Sequence, residues 1–282
     1  MMEWSTSRQR LLILVAIAGA FSAGAAARAA SPAPISLHPQ NPHYFLWRDK
    51  PTILITSGEH YGAVLNRAFD YKRYLDALQS YGFNLTRTFT GAYCEAVGAF
   101  NIEKNTLAPA PGDLLCPWAR SNQSGYANGG NKFDLTQWDP EYFRRLSDFV
   151  EEAGKRGIVV ELVLFCPFYE DSMWNLSPMN AHNNVNGIGT MPRTEVYTLK
   201  HPDLLAVQDA MVHRIVEALK DQRIGLIAFA GRAYLQAPLT TDHVAVVESL
   251  QALDTFTIPR GGTAISEALN EAIDAFDKNK AR

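Results

Sequence analysis

Between Pro51 and Asp221 the chain alternates short apolar runs with longer stretches of helical periodicity. Thr52–Thr56, Asn84–Phe89 and Ile158–Phe165 are apolar-rich runs of strand length. Between the first two, Tyr71, Tyr74, Leu75 and Leu78 share one face of a helix predicted over Asp70–Tyr81, stopped by Gly82. Asp139-Pro140 opens a second helix that runs through Arg156 and closes at Gly157. A third begins at His201-Pro202, where Leu204, Leu205, Met211, Val212, Ile215, Val216 and Leu219 recur at helical spacing. Strand and helix in strict alternation predict an α/β fold: a parallel sheet with right-handed crossovers, strands in sequential order, and Ile224–Phe229 as a fourth member. Two stretches, 90–138 and 166–200, far exceed the ~2–6 residues usual for such connections. Both follow the carboxyl end of a strand, the side on which α/β barrels build their sites.

Composition narrows this picture in three ways. A formal net charge of −3 over 282 residues leaves no electrostatic footprint for nucleic acid or anionic lipid. The length falls short of a full α/β barrel plus a second domain. Arg8 and Arg10 precede an apolar run from Leu11 to Ala27, and Ala27-Arg28-Ala29 offers a cleavage site, so residues 1–29 read as a signal peptide and the mature chain as secreted or periplasmic. The rival reading is an uncleaved anchor; no other segment is apolar enough to cross a membrane. In an oxidising compartment Cys94 and Cys116 either bridge or stay free, while Cys166 reads as a small buried hydrophobe.

The long stretches carry Trp118, Tyr126, Trp138, Trp174, His182, Asn183 and Asn184. Aromatic faces with amide donors suit sugar rings, which present an apolar face and many hydroxyls. The alternative is that long loops need aromatics to pack themselves. In the strands, Glu161 alternates with Val159, Val163 and Phe165, and Arg87 with Leu85 and Phe89. On neighbouring parallel strands the two charges either meet or each points to solvent.

The segments "NPHYFLWRDKPTILITSGEHYGAVLN", "YGFNLTRTFTGAY" and "KFDLTQWDPEYFRRLSDFVEEAGKRGIVVELVLF" resemble secreted clan A glycoside hydrolases of the cellulase-like (β/α)8 type, over roughly Ile35 to Asp221. The resemblance implies an amino-terminal hairpin at Ile35–Trp47, three of eight βα units, and carbohydrate as the substrate class. It implies that Arg87, in "NLTRTF", orients a nucleophile. Glu59, His60, Arg87 and Glu170 are the candidates for chemistry, and Tyr61, Arg87, Trp118, Trp138, Trp174 and His182 for holding substrate. Hydrolysis needs two carboxyl groups about 5–5.5 Å apart for retention. The family's Asn-Glu acid/base motif does not follow the helix ending near Leu219, and Glu59, Glu95, Glu161, Glu170 and Asp171 match no catalytic position. The expected protein is a glycosidase relative lacking its catalytic pair.

From Gln222 onward, "RIGLIAFAGRAYLQAPLTTDHVAVVESLQALDTFTIPRGGTAISEALNEAIDAF" resembles a von Willebrand factor A domain of the bacterial aerotolerance-operon type. Its middle portion is covered: strands at Ile224–Phe229 and Tyr234–Ala237, and helices at His243–Leu253 and Ala264–Phe276. The resemblance implies protein partners and a Mg²⁺ site, to which Thr263 would contribute. The accompanying Asp-x-Ser-x-Ser loop is nowhere in the chain, so no cofactor is expected, and Thr263 serves equally as the cap of the Ala264 helix. Three readings follow: a partial glycoside hydrolase-like barrel in 30–221 with carbohydrate as ligand, a von Willebrand A-like protein-binding module in 222–282, or a fusion of two fragments without joint function.

Overall fold

The computed structural model describes residues 36–41, 43–56, 60–229 and 233–253. The signal segment 1–29, Glu59, Thr263 and the helix expected over Ala264–Phe276 lie outside these residues.

The described chain opens on a three-stranded antiparallel sheet, β1 (Ser36–Leu37), β2 (Phe45–Trp47) and β3 (Lys50–Thr52). Arg48 and Asp49 join β2 to β3 with φ of 50° and 60°, the left-handed pair that a two-residue turn needs to match strand twist. The expected hairpin thus forms and gains a third strand. Beyond Thr52 the chain has no regular ladder, yet it runs beside the next strand. Asn84 Nδ2 donates to the Ile53 carbonyl and Asn84 Oδ1 accepts from the Ile55 amide, at 2.8 and 2.7 Å. Further along, the Tyr61 carbonyl accepts from the Phe89 amide at 2.9 Å.

Helix α1 (Tyr71–Ser80) starts where Asp70 accepts from the Arg73 amide, and it buries Tyr71, Tyr74, Leu75 and Leu78. Strand β4 (Leu85–Phe89) follows. The stretch before the second long helix then folds into a hairpin of its own, β5 (Trp118–Ser124) and β6 (Asn131–Trp138). Helix α2 (Pro140–Lys155) is capped by Asp139 and buries Tyr142, Phe143, Leu146 and Phe149. Strand β7 (Val159–Val163) lies parallel to β4, with Arg87 and Glu161 in register. A short helix α3 (Asp171–Trp174) and the long α4 (Pro202–Ala218) come next, each packing apolar residues into the same core.

The carboxyl-terminal region departs from expectation. Strand β8 (Ile224–Phe229) pairs antiparallel with β9 (Ala233–Thr240), and among the described residues no ladder joins β8 to β7. Only three residues separate the two strands, so the local hairpin forms with little loop-closure cost. Helix α5 (His243–Gln251), capped by Asp242, follows, and its Val247 and Leu250 rest against the core together with Ile224. The result is a mixed α/β chain with small sheets and, among the described residues, no closed barrel. No described helix is long and apolar enough to cross a membrane.

Two devices fix the segment between 60 and 69. Arg145, on α2, donates to the carbonyls of Ala63, Val64, Asn66 and Phe69 at 2.7–3.0 Å. Gly62 lies flat against Thr106, where an added Cβ would stand 2.0 Å from the Thr106 carbonyl oxygen. Only a residue without a side chain fits there.

Candidate functional site

A cavity of about 490 Å³ opens at the carboxyl ends of β4 and β7. Phe89 ends β4 and Cys166 follows β7, and both line it. One wall is a continuous run of rings. Tyr61 stacks on Phe89 at 5.4 Å, Phe89 meets Tyr93 at 5.7 Å, Tyr93 meets Tyr169 edge-on at 6.5 Å, and Tyr169 meets Phe100 at 5.7 Å. The polar groups are few. Glu95 is buried, and each of its carboxylate oxygens takes a donor: Tyr93 Oη at 2.9 Å and Asn105 Nδ2 at 2.5 Å. His60, Glu103, Lys104 and Thr106 also line the cavity.

The electrostatics keep this lining in donor form. Burial pushes the Tyr93 hydroxyl well above the usual tyrosine range, and the adjacent Glu95 carboxylate pushes it further. Burial raises the Cys166 thiol to about 11, so it is a neutral thiol at physiological pH. The backbone around the cavity is held in a costly form. His60, Phe100, Asn101 and Lys104 have φ of 61°, 55°, 57° and 53°, the left-handed region that side chains other than glycine rarely adopt.

The residues singled out from the sequence separate into three groups. His60 and Tyr61 line the cavity. Arg87 lies below it, ion-paired to Glu161 and with its guanidinium 5.8 Å from the Tyr61 ring centroid. Burial alone would lower the Arg87 pKa, and the Glu161 carboxylate outweighs it to give a net rise. The third group is used for packing. Trp118 is fully enclosed, and Trp174 is buried against Phe168 with its Nε1 donating to the Met191 carbonyl at 3.1 Å. Neither presents a ring face to a ligand. Trp138 packs edge-on against Phe143. His182 is exposed beside the buried Asn183 and Asn184, whose amides close the turns of their own loop through Asn175, Ser177, Pro178, Asn180 and Ile188 carbonyls. Glu170 stands before α3, taking a hydrogen bond from Ser172, away from the cavity lining.

Cys94 and Cys116 are both buried free thiols. Cys94 Sγ donates toward the Leu176 carbonyl and Cys116 Sγ toward the Trp118 carbonyl, so each thiol has a local acceptor rather than a bridge. Among the described residues no three His, Cys, Asp or Glu side chains gather to hold a metal ion.

Tyr93, Phe100, Glu103, Lys104, Asn105 and Tyr169 are among the lining residues that sequence reasoning left out, and Glu95, weighed there as a carboxylate without a catalytic position, is one of them by place. Position held the signal. Tyr93 and Glu95 follow directly on β4 and Tyr169 follows closely on β7, so each is tethered to a strand end, whereas the tryptophans lie deep within their loops.

The chain is thus a mixed α/β protein with an aromatic-lined cavity on its strand-end face. Residues 189–282 match the von Willebrand factor type A domain. That span begins upstream of α4, whereas the sequence resemblance begins at Gln222. A solved structure from Bacteroides vulgatus ATCC 8482, provisionally named a glycoside hydrolase, aligns at 15% identity with a TM-score of 0.34, covering 64% of this chain. This chain spans 36% of that protein's length. No curated protein matches the chain.

Proposed function

We propose that the chain is an exported carbohydrate-binding protein that holds a sugar ring in the strand-end cavity without hydrolysing it. The observation that carries this reading is the run of rings along the cavity, of which Tyr61, Phe100 and Tyr169 keep accessible surface, beside the buried, doubly hydrogen-bonded Glu95. Aromatic faces take the apolar side of a sugar, and a carboxylate held by fixed donors accepts its hydroxyls. Glu95 and Glu103 are the carboxylates of the lining. Glu161 is committed to Arg87, and Glu170 to the start of α3. Acid–base help is worth about 10²–10⁴-fold, and an oxocarbenium-like transition state needs a second, opposed carboxylate as well.

Calorimetric titration of the full chain with a panel of neutral oligosaccharides tests the binding, with aryl-glycoside turnover measured in parallel. Saturable binding lost in Tyr169→Ala, with turnover equal to buffer, is expected. Turnover well above buffer, abolished by Glu95→Gln or Glu103→Gln, would show a working carboxylate pair and replace this reading with an enzymatic one.

The match over residues 189–282 favours a second role, in which the von Willebrand A-like part recruits a protein partner. That role is carried by the match and not by the cavity. A pull-down partner retained by the Tyr169→Ala variant would separate the two.

A further inference from the structure

Among the described residues Glu95 is the only Asp or Glu that is buried, and it lines the cavity. Both groups that hold it are neutral. Asn105 is fixed in orientation, because its Oδ1 accepts from the Leu107 amide at 3.0 Å and so turns Nδ2 toward Glu95. Tyr93 Oη lies between Glu95 Oε1 at 2.9 Å and Met173 Sδ at 3.1 Å, and the carboxylate is the stronger acceptor. Two of the roughly four acceptor sites on the carboxylate are thereby filled. No Lys, Arg or His among the described residues forms an ion pair with it. A buried charge held by neutral donors alone is costly, and a cation close by offsets much of that cost. The rest of the lining favours the same sign of ligand. Tyr61, Phe100 and Tyr169 keep accessible ring surface, and aromatic faces attract a cation within about 6 Å of the ring centre. Glu103 and Lys104 are neighbours on the exposed rim, so their charges offset one another and Glu95 supplies the formal excess.

We propose that the sugar held here carries a free amino group, whose ammonium lies between the Glu95 carboxylate and the accessible rings. This deepens the sugar-binding reading and rests on it. An ammonium brings three donors and the charge that Glu95 lacks. A hydroxyl on the same carbon brings one donor and no charge, and an acetamide brings one donor together with an acyl group to be seated.

Three β-1,4-linked tetramers that differ only at C2 test the choice: those of glucosamine, N-acetylglucosamine and glucose. Calorimetric titration of the full chain at about pH 6, where the amine is charged, should find the glucosamine tetramer bound about tenfold or more tighter than the glucose tetramer. That ratio is the size of one hydrogen bond to a charged group. In Glu95→Gln the ratio should fall close to one. Equal affinities in the wild type, tighter binding of either uncharged tetramer, or a preference unchanged in Glu95→Gln overturns the proposal. Equal affinities leave the sugar-binding reading standing, whereas no binding of any tetramer or of the neutral panel removes both. Far-UV circular dichroism checks the fold of Glu95→Gln. If it differs from wild type, the wild type decides alone. Between about pH 6 and pH 9 the sugar amine loses its proton, so the affinity for the glucosamine tetramer should fall toward that for glucose. The glucose tetramer, titrated beside it, carries any change due to the lining's own titratable groups: His60, Glu103, Lys104, Cys166 and the tyrosines. A preference that persists once the amine is neutral overturns the proposal.

Discussion

Arg87 and Glu161 are in-register partners across β4 and β7, joined by two near-parallel hydrogen bonds, Nε to Oε2 and Nη2 to Oε1, each 2.9 Å. The fork geometry is the strong form of this contact, but 36% and 43% of the two side chains remain exposed, which screens it. A double-mutant cycle of Arg87→Ala and Glu161→Ala should return a coupling of about 0.5–1 kcal/mol in urea unfolding. Arg87→Lys should lose much of it, because an ammonium cannot reproduce the fork.

Arg145 should matter far more. Its guanidinium satisfies four carbonyls of the segment that carries His60 and Tyr61 to the cavity. Arg145→Met leaves those acceptors without their donor, at about 1–3 kcal/mol for each that stays buried. Chemical denaturation should show a loss of about 3 kcal/mol or more, with proteolytic cutting first between 60 and 69. A loss below 1 kcal/mol would mean that water replaces the guanidinium.

Much of the architecture was legible where periodicity is strong. Helices α1, α2 and α4 fall within a residue or two of the spans that their apolar spacing and Asp or His-Pro starts define, and β4 and β7 match their apolar runs. The pairing of β8 was not legible, because an apolar run says that a strand is buried and not which strand it joins. The three-residue link to β9 held that information. The β5–β6 hairpin carried a signal as well: Asn128-Gly129-Gly130 sits between two strand-length runs, and both glycines have left-handed φ. Site residues were obscured for a different reason. Tryptophan content marks where a loop needs filling, while nearness to a strand end marks what can face a ligand, as the exposed Tyr169 does and the buried Trp118 and Trp174 do not.

The pH profile of stability should have two limbs. Glu152 is held down to about 2 by hydrogen bonds from Lys155 and Arg156, and Asp148 is lowered chiefly by the Tyr71 hydroxyl. A carboxylate with a depressed folded-state pKa stabilises the fold above its unfolded value and loses that contribution as pH falls. Thermal midpoints should therefore drop from about pH 4.5 toward pH 2, and Glu152→Gln should flatten that drop. Tyr71 works in the opposite direction. Burial, and then Asp148, raise it to about 12, so its contribution is complete below pH 10 and fades between pH 10 and 12. Tyr71→Phe should remove the alkaline limb.

The three cysteines should react as buried thiols. Burial raises all three, Cys166 to about 11 and Cys94 to about 12. A thiol reagent at pH 7 should label none within minutes in the native protein and all three in denaturant. Recovery of a single thiol in denaturant would show that Cys94 and Cys116 had bridged.

Gly62 is a sharper probe of the cavity than any of its lining residues. Gly62→Ala forces a methyl group against the Thr106 backbone and must separate 60–62 from 105–107. Sugar affinity should fall at least tenfold while the far-UV spectrum stays that of the wild type. Unchanged affinity would show that the two segments need not touch for the ligand to be held.

The left-handed residues at the cavity rim bear on how a ligand reaches Glu95. Phe100, Asn101 and Lys104 each hold a backbone conformation that costs roughly 1–2 kcal/mol for a residue with a side chain. That free energy is returned whenever the segment lifts away. The segment 98–105 should therefore be among the first parts of the molecule to exchange its amide hydrogens, well ahead of β4 and α2. Such an exchange pattern would mark an entry route in the backbone itself, the rim opening as a unit while the sheet beneath it stays closed.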